Sequence, residues 1–537
     1  MISLNSFLDI LREYKKTGNN EIFSKYSSLF GVYSERDNNR FMIRYKFTGG
    51  IILPSELMGI AEVLRDLEYK TIHFTTRQDI QFHHLTIDEL ESVMIKCNER
   101  GLISLASGGP TTRNIQISPL AGVDINEDYN VTEYVLEASK YILNEDPSYT
   151  LPKKYKVSIS NNFNDTVNAT VSDLGFIATV KNNIKGFKVY GGGGMGIMPS
   201  PGIELCEFDS SENITYHILA MRNIFDQYGE RKIKAKARVR HILQRLSEDE
   251  FIRIYTSEVK RLKKEKDLVI SIKGEEKIYE SKPLLSLREY PLIKFAKYRN
   301  IITKQKQKGY YSLYVHPYLG DMDINHLTKI INTIEKLNYS ITLRLTNTQG
   351  FYIRDIKEQD VEKMINAIEY NPQRVFTSVS CTGSSTCKKG ILHSKEMLSY
   401  LLENLKKEKH SIINNIPKIQ ISGCPNSCGQ HQIGSLGFCG RIRRKKLGAM
   451  PYYGVFINGK LSENTSLAYE IGELPGRKIL EFLKEVGNLK YQSKVRSFEA
   501  FFKEKEEDIK NIINRLSNID EDDEGLYSDF NNSVNNF

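Results

Sequence analysis

The stretch Thr71-Ile-His-Phe-Thr-Thr-Arg-Gln-Asp-Ile-Gln-Phe-His83 has a second copy later in the chain, Thr342-Leu-Arg-Leu-Thr-Asn-Thr-Gln-Gly-Phe-Tyr-Ile-Arg354. Aligning Gln78 with Gln349 keeps the apolar/polar alternation of β-strands in register across both copies. Helical patterns flank both copies, at 56–67 and 87–99 in the first and at 325–337 and 358–369 in the second. Each copy therefore predicts the order β-α-β-β-α of a ferredoxin-like sandwich, and the matching flanks favour internal duplication over chance similarity.

A segment that carries chemical motifs follows each copy. The first segment contains Gly109-Pro-Thr-Thr-Arg-Asn-Ile115, Leu151-Pro-Lys-Lys-Tyr-Lys156 and the glycine run Gly191–Gly194, and the second contains Ile416-Pro-Lys418 and four paired cysteines. The glycine run lacks the order and the βαβ context of a nucleotide-binding loop. The sequence therefore predicts an α+β protein of two similar halves, each with a ferredoxin-like α/β sandwich half-domain and a further α+β domain.

The predicted boundaries divide the chain into six segments. They are an N-terminal helical segment (1–37), a first ferredoxin-like half-domain (38–105), an α+β domain with a helical connector (106–300), a second ferredoxin-like half-domain (301–370), a second α+β domain (371–500) and a C-terminal helix with a tail (501–537). The tail has six acidic positions between Asp520 and Asp529 and ends in an Asn/Ser run, a composition typical of disorder.

Composition limits the classes of function. The 537 residues include no apolar run long enough to span a membrane, and the first twenty residues lack the pattern of a signal peptide. We therefore expect a cytoplasmic protein. A net charge of +9 is too modest and too evenly distributed to indicate nucleic-acid binding by itself.

Seven cysteines make an odd number for a disulfide framework, but four of them form two close pairs, Cys381 with Cys387 and Cys424 with Cys428. Four thiolates satisfy either a tetrahedral zinc ion or a [4Fe-4S] cluster. Intervals of five and three residues suit the larger cluster better than the two-residue interval of a zinc knuckle. The remaining three are predicted to be ordinary buried thiols: Cys97, Cys206 and Cys439.

Three motifs together resemble the siroheme-dependent nitrite and sulfite reductase family: Cys381-Thr-Gly-Ser-Ser-Thr-Cys387, Gly423-Cys-Pro-Asn-Ser-Cys-Gly-Gln430 and, upstream, Thr75-Thr-Arg-Gln78. The resemblance covers about residue 40 to about residue 490. It implies a [4Fe-4S] cluster on the four paired cysteines, with the Cys428 thiolate also the axial ligand of the siroheme iron. The segments 106–300 and 371–500 would then be the siroheme- and cluster-binding domains.

The resemblance also implies roles for residues of the first half. Arg77 corresponds to a substrate-binding arginine, Gln78 beside it to a cofactor-binding residue, and Arg113 to a siroheme-binding arginine. Siroheme and its substrates are anionic, so a buried site needs several cations. Thr348 stands in the second half where Arg77 stands in the first, so only one copy is expected to bind the anion.

The family places a basic pair that binds substrate and assists proton delivery near Arg231–Arg240. Here the pair is assigned to Arg238 and Arg240, with Lys234 and Lys236 as alternates if the register shifts. Arginine rarely releases a proton, so arginines here would hold and polarise the anion while water or lysine supplied protons. The family also expects an arginine after Leu-Pro, where this chain has Lys153, which keeps the charge but loses the bidentate fork.

The predicted activity is the six-electron reduction of nitrite to ammonia at siroheme coupled through a cysteine thiolate to a [4Fe-4S] cluster. The alternative is reduction of sulfite to sulfide with the same cofactors. No flavin or nicotinamide module is visible, so electrons are expected from an acidic carrier protein such as ferredoxin. The basic stretch Arg441–Lys446 is a candidate dock, with a solvated loop as the competing interpretation.

Two other classes of function are alternatives to a reductase. In the first, a zinc-stabilised module would bind nucleic acid through its basic runs, but few aromatic residues interleave Arg231–Arg240 and the cysteines lack finger spacing. In the second, an inactive protein of the same fold would carry only a tetrapyrrole. The retained cysteines and arginines argue against it. We expect a monomer that binds neither nucleic acid nor membranes.

Overall fold

The structure is a computed structural model, which describes residues 2–145, 147–272, 298–368, 370–371 and 373–530. The chain forms two compact units. The first unit comprises Met1–Gly194, Ser200–Pro317 and Asp321–Tyr370, and the second comprises Met195–Pro199, Tyr318–Gly320 and Asn371–Phe537. The six predicted segments therefore stay a prediction, and the loop-like end of the predicted connector lies largely outside the described residues. Within the described ranges, no helix combines the length and apolar character that crossing a membrane requires.

The first unit contains α1 to α10 and β1 to β15 in its described residues. The helices are α1 (Leu4–Thr17), α2 (Asn20–Ser27), α3 (Pro54–Asp66), α4 (Ile87–Glu99), α5 (Thr132–Lys140), α6 (Ile214–Tyr228), α7 (Val239–Arg245), α8 (Glu248–Glu265), α9 (Ile324–Glu335) and α10 (Val361–Ala367). The strands are β1 (Tyr33–Ser34), β2 (Phe41–Lys46), β3 (Ile51–Ile52), β4 (Thr71–Phe74), β5 (Asp79–Leu85), β6 (Gln116–Ile117), β7 (Val157–Ser160), β8 (Leu174–Lys181), β9 (Ile184–Gly191), β10 (Ile203–Ser210), β11 (Ile302–Lys304), β12 (Tyr310–Val315), β13 (Asp321–Asp323), β14 (Thr342–Leu345) and β15 (Phe351–Lys357).

The second unit contains α11 to α15 and β16 to β20 in its described residues. The helices are α11 (Ser394–Leu405), α12 (His410–Ile413), α13 (Ile479–Ser493), α14 (Phe498–Glu504) and α15 (Glu506–Ser517). The strands are β16 (Val379–Ser380), β17 (Ile419–Ser422), β18 (Leu436–Lys445), β19 (Gly448–Ile457) and β20 (Tyr469–Pro475).

The two copies of the repeated motif have the same conformation, which confirms the predicted duplication. Gln78 (φ 57°) and Gln349 (φ 61°) both adopt left-handed backbone geometry between paired antiparallel strands. The Thr75 hydroxyl accepts hydrogen bonds from the backbone N–H groups of Arg77 and Asp79. In the second copy, the Thr346 hydroxyl accepts hydrogen bonds from the backbone N–H groups of Thr348 and Gly350. The short threonine side chain thus fixes both turns.

Each ferredoxin-like sheet receives its fifth strand from the other copy. The first sheet has the order β1-β2-β5-β4-β13 and the second β11-β12-β15-β14-β3. Strand β13 pairs antiparallel with β4, where Asp321 faces His73, and β3 pairs antiparallel with β14, where Ile52 faces Leu343. The two sheets also share one hydrophobic core. The copies are therefore interlocked, which the repeat itself did not reveal.

The α+β domains are also built on a repeated plan. Strands β6, β7 and β8 run parallel and continue into the antiparallel β9 and β10. In the second unit, β16, β17 and β18 are parallel and continue into the antiparallel β19 and β20. Because the carboxyl ends of adjacent parallel strands meet at one edge, the loops after such strands are brought together.

The C-terminal tail is folded as far as Phe530, so the prediction of a disordered acidic tail was wrong for the described residues. Lys445 and Lys446 at the tip of the β18–β19 hairpin pair with Glu521 and Asp522. Leu526 is buried in a small hydrophobic cluster with residues of β19. Neutralised charge and apolar burial thus offset the cost of ordering the tail. The Asn/Ser run at 531–537 lies outside the described residues.

The basic stretch Arg441–Lys446 lies mostly in β18, so neither a solvated loop nor a field of unpaired charge describes it. Arg441 pairs with Glu470 and Glu473, and Arg443 pairs with Glu473. With the two lysine pairs to the tail, most of the stretch is neutralised within its own unit. This weakens its interpretation as a dock for an acidic protein.

Two histidines at the end of β5 share one buried carboxylate. The Oε1 atom of Glu35 lies 3.0 Å from the Nδ1 atom of His83, and its Oε2 atom lies 2.8 Å from the Nδ1 atom of His84. Burial raises the pKa of Glu35, but hydrogen bonds from the two imidazoles outweigh it, and the pKa falls to about 2.

This lowered pKa gives a test of acid stability. A carboxyl group whose pKa is lowered on folding stabilises the protein above its unfolded pKa, ordinarily 4.5, and this contribution is lost as the pH falls through about 2. We expect the free energy of unfolding to fall more steeply over that window in the wild type than in Glu35→Gln, measured by denaturant titration at several pH values. Parallel pH profiles would contradict the assignment.

Candidate functional site

The four paired cysteines lie in two neighbouring loops of the second unit. Cys381 follows β16 directly, and the loop continues to Cys387, whereas Cys424 and Cys428 lie in the loop after β17. Strands β16 and β17 pair in parallel. Their carboxyl ends therefore bring both loops to the same edge of the sheet.

The four thiols interact electrostatically. Burial raises the pKa of Cys381 to about 12, and the nearby Cys428 contributes to the rise. The pKa of Cys424 is also raised by burial, with smaller contributions from Cys428 and Cys387. Such thiols become thiolates most readily when a metal takes the place of the proton.

The spacing of the four cysteines in sequence favours a multinuclear cluster over one zinc ion. Sulfur ligands around a tetrahedral zinc lie about 2.3 Å from the metal and therefore within about 4 Å of one another. Among the described residues, no group of three or more His, Cys, Asp or Glu side chains is close enough to hold a single metal ion. Intervals of five residues between Cys381 and Cys387 and of three between Cys424 and Cys428 suit a [4Fe-4S] cluster better than a zinc knuckle.

Polar groups surround the thiols in a way that fits a [4Fe-4S] cluster. The N–H of Gly423 donates to the sulfur of Cys381 at 3.2 Å, and the amide of Asn426 donates to the sulfur of Cys424 at 3.4 Å. Such donors stabilise thiolate and sulfide charge. Within the described part of the loops, three buried hydroxyl groups have no hydrogen-bond partner: those of Ser384, Thr386 and Ser427. Unsatisfied buried donors at this edge suit a bound group that carries acceptors.

The first unit contains a group of interacting basic side chains, which we call the basic cluster: Arg77, Arg113, Lys156, Arg238 and Arg240. Its cations influence one another electrostatically, and the nearest carboxylates are Asp79 and Asp173. Basic groups outnumber carboxylates in these interactions, an excess that an anionic ligand would balance.

Two arginines of the basic cluster have spare hydrogen-bonding capacity. Arg77 donates one bond to the carbonyl of Asn114, and Arg113 donates to the carbonyls of Ser107 and Gly109. The Nε atoms of both arginines are buried without a hydrogen-bond partner within the described ranges. Backbone carbonyls thus hold each guanidinium in place while one N–H stays available to an anion.

Burial makes the cluster costly to keep charged. It lowers the pKa of Arg77 to about 10, although Asp79 opposes the shift, and it lowers the pKa of Arg240 to about 10 with help from Arg238. The pKa of Lys156 is well below its ordinary value, because of burial and then the charge of Arg77. An anion in this environment would reverse these effects, since it favours the charged form of each neighbour.

Arg238 is held by a buried ion pair, which bears on the role expected of it as one of the predicted basic pair. Its Nη2 atom lies 2.9 Å from both oxygens of Asp173, and its Nε atom 3.2 Å from one of them. Only 7% of the Arg238 side chain is exposed, and none of the Asp173 side chain. A guanidinium bound in this way positions its neighbours better than it binds a substrate.

The other predicted site residues occupy distinct environments. The Lys153 ammonium donates to the carbonyl of Lys234 at 2.9 Å. Arg240 lies against Gly194, where an added Cβ would come within 2.4 Å of the guanidinium, so the last glycine of the run leaves room for this arginine. The Gln78 amide donates to the carbonyls of Ile117 and Leu345 and accepts from the N–H of Ile117. Its predicted cofactor-binding role stays a prediction.

Sequence analysis missed Lys156 and Asp173. Lys156 immediately precedes β7, as Lys418 precedes β17 in the second half, and burial lowers the pKa of Lys418 to about 8. The shared position in the repeat was a usable signal for both lysines. Asp173 precedes β8 in a stretch without a recognisable motif, and only the fold brings it to Arg238.

The Arg238–Asp173 pair gives a stability prediction. In Asp173→Asn, a buried guanidinium loses its counter-charge, and such losses cost about 3–5 kcal/mol. We expect a decrease of this size in the free energy of unfolding, measured by denaturant titration with circular dichroism. The matched control is Asp226→Asn, which breaks a half-exposed pair with Arg231 and should cost less than about 1 kcal/mol. Equal losses in the two variants would contradict the prediction.

Comparison with known proteins identifies both kinds of domain. Residues 33–100 and 303–370 each match the family model described as a nitrite/sulfite reductase ferredoxin-like half domain. Residues 108–263 match the model described as a nitrite and sulphite reductase 4Fe-4S domain. Together the matches span more than half of the chain. The 4Fe-4S match includes every member of the basic cluster except Arg77, and it does not include the paired cysteines.

The curated proteins that resemble this chain include nitrite reductases and a sulfite reductase. The chloroplastic ferredoxin–nitrite reductase of Oryza sativa subsp. japonica is 26% identical over 455 residues, which cover 82% of this chain and 73% of that protein. The sulfite reductase (ferredoxin) of Mycobacterium tuberculosis is 21% identical over 465 residues, which cover 83% and 80%. The structure of the Mycobacterium tuberculosis NirA protein superposes with a TM-score of 0.78 at 20% identity, covering 94% of this chain and 95% of that one, which shows a common fold.

Proposed function

Because this chain belongs to the nitrite and sulfite reductase family, we propose that it reduces nitrite to ammonia with six electrons, at a siroheme coupled to a [4Fe-4S] cluster. The observation that carries the proposal is the convergence of four thiols, with unsatisfied hydroxyl groups around them, on one edge of the β16–β20 sheet. Buried hydroxyl groups without a hydrogen-bond partner destabilise a fold, so their presence beside the thiols supports a bound group.

The second unit supplies the proposed ligands. The cluster would be held by Cys381, Cys387, Cys424 and Cys428, and the thiolate of Cys428 would also bind the siroheme iron, as the family resemblance implies. When bound, these groups supply single electrons and an iron atom to which the anion binds. The amides of Gly423 and Asn426 would keep the thiolates in place and moderate their charge.

The first unit supplies the proposed anion-binding groups. The free Nε of Arg77 would donate to an oxygen of nitrite, and that of Arg113 to a siroheme carboxylate. Arg240 would add positive charge, whereas Arg238 would hold its position through Asp173. Fixed charges in a dry site polarise the N–O bond without reorganising, and this is their contribution to the reaction.

Proton supply is assigned to Lys156 and water. Reduction of nitrite to ammonium and two waters consumes six electrons and eight protons, so the site needs a group that exchanges protons near neutral pH. Arginines hardly release a proton, whereas Lys156 releases one more readily than an ordinary lysine, because burial and the charge of Arg77 lower its pKa. Lys153, which the sequence predicted to hold the oxygens of the anion, donates to the carbonyl of Lys234 and is proposed to contribute only charge.

Sulfite reduction is the alternative activity, since the basic cluster would bind either anion. A relative of each name is similar to this chain at comparable identity. Both relatives are named for ferredoxin, so we propose a small acidic iron–sulfur protein as the electron donor. Arg441–Lys446 is not proposed as the dock, because acidic side chains of its own unit neutralise most of that stretch.

An absorption spectrum of the anaerobically purified protein tests the proposal, followed by oxidation of dithionite-reduced viologen with nitrite and, separately, with sulfite. Siroheme bands, four irons per chain beyond the siroheme iron, and faster turnover of nitrite are expected. Faster turnover of sulfite would establish the alternative. A colourless protein that contains zinc would overturn both.

A further inference from the structure

Ser394 places a hydroxyl group against the sulfur of one proposed cluster ligand. It is fully buried and is the first residue of α11. Its Oγ atom lies 3.1 Å from the sulfur of Cys381 and 3.0 Å from the carbonyl oxygen of the same residue. While Cys381 is a thiol, its S–H can donate to Oγ as the hydroxyl donates to the carbonyl. A metal-bound sulfur has no proton, so the hydroxyl is then the only donor of the pair.

We propose that Ser394 donates a hydrogen bond to the Cys381 sulfur of the bound cluster and raises its reduction potential, and that Asp529 of the C-terminal tail positions Ser394 for this purpose. The inference rests on the proposed function, because it requires the cluster. Reduction adds negative charge that the cluster sulfurs share. A hydrogen bond to one of these sulfurs therefore stabilises the reduced form more than the oxidised form.

The segment that carries Ser394 is fixed between the two cysteine loops. The carbonyl of Gly423 accepts from the N–H groups of Ile391 (3.1 Å) and Leu392 (3.0 Å), and the carbonyl of Leu392 accepts from the N–H of Ser384 (3.0 Å). An added Cβ at Gly383 would lie 2.7 Å from the nitrogen of Ser394. The loops and the start of α11 therefore pack without room for displacement.

The tail holds this segment from the other side. The fully buried carboxylate of Asp529 accepts from the N–H of His393 at 2.8 Å, one residue before Ser394. Arg477 donates to the carbonyl of Asp529 at 3.0 Å, and its guanidinium lies 4.5 Å from the ring of Phe530. That ring also packs on Tyr400 of α11, with 5.2 Å between centroids. An acidic tail that would be disordered on composition alone is thus anchored to the helix that presents the hydroxyl.

Ser394→Ala in the cluster-loaded protein tests the first part. We expect a more negative midpoint potential than in the wild type, measured by potentiometric titration of the reduced-cluster EPR signal, with a change in its line shape. Ser385→Ala is the matched control. The Ser385 hydroxyl lies in the loop between Cys381 and Cys387, but it donates to the carbonyl of Thr382 at 2.8 Å. It should leave the potential unchanged. An unchanged potential in fully loaded Ser394→Ala would overturn the inference.

Two substitutions of Asp529 test the second part. Asp529→Asn and Asp529→Ala lose the same charge, but only asparagine keeps an oxygen that can accept from His393. If the tail acts by position, the potential of Asp529→Ala will be lower than that of Asp529→Asn, and equal potentials would overturn this role. A wild-type protein without a [4Fe-4S] signal would overturn the proposed function together with this inference, whereas unchanged potentials in loaded variants overturn this inference alone.

Discussion

Cys424→Ser is expected to abolish the iron–sulfur cluster and, with it, all reduction of nitrite or sulfite. Cys424 lies at the edge where the β16 and β17 loops meet, and the amide of Asn426 donates to its sulfur. A serine hydroxyl is a poor ligand for iron at neutral pH, because its proton is far harder to remove than that of a thiol. Iron and sulfide analysis of anaerobically purified protein measures the loss directly.

Cys206→Ser is the matched control for this experiment. Cys206 lies on β10 of the first unit, and its S–H donates to the carbonyl of Phe208, a bond that a serine hydroxyl can replace. The variant should keep the full cluster content and the activity of the wild type. Four irons in the cluster of Cys424→Ser would contradict the assignment of this ligand.

Arg77→Gln is expected to lower kcat/KM for the anion by about 10²–10³-fold, the usual cost of removing one preorganised donor from a transition state. The Arg77 guanidinium is oriented by the carbonyl of Asn114, and its free Nε is the N–H that the proposal assigns to the substrate. The substitution also removes one buried cation from a cluster with excess positive charge. Its effect on the melting temperature should therefore be small compared with its effect on turnover.

Steady-state viologen oxidation and a thermal melt together measure this prediction. Arg65→Gln serves as the control, because Arg65 is an exposed arginine of α3 that donates to Thr328 in the same unit. It should leave both quantities near those of the wild type. A kcat/KM near the wild-type value in Arg77→Gln, with siroheme bound, would show that the anion is held by other groups.

The duplicated ferredoxin-like fold could be predicted because its signals are local. The alternation around Gln78 and Gln349 and the hydroxyls of Thr75 and Thr346 act within a few residues, so both turns follow from the sequence. The predicted helix at 87–99 matches α4, where the Thr86 hydroxyl and the Glu89 carboxylate cap each other's N–H groups. The paired cysteines were equally visible as spacings.

The features that sequence reasoning missed depend on contacts between distant residues. Asp173 meets Arg238 sixty-five positions later in the chain, and nothing near either residue indicates the pair. The predicted role of Arg238 as a substrate ligand stays a prediction, and no sequence pattern indicated that its Nε and Nη2 atoms donate to Asp173. The acidic tail was predicted from composition alone, which cannot reveal that Lys445 and Lys446 lie beside it.

The strand exchange between the two copies has a consequence for the synthesis of the protein. When the first copy leaves the ribosome, β4 has an open edge until Asp321–Asp323 has been translated some 250 residues later in sequence. Open edges invite pairing with other chains, and long-range pairing of this kind slows folding. We therefore expect that neither half folds independently. A truncation between the two copies is expected to aggregate, although each copy contains a complete β-α-β-β-α motif of its own.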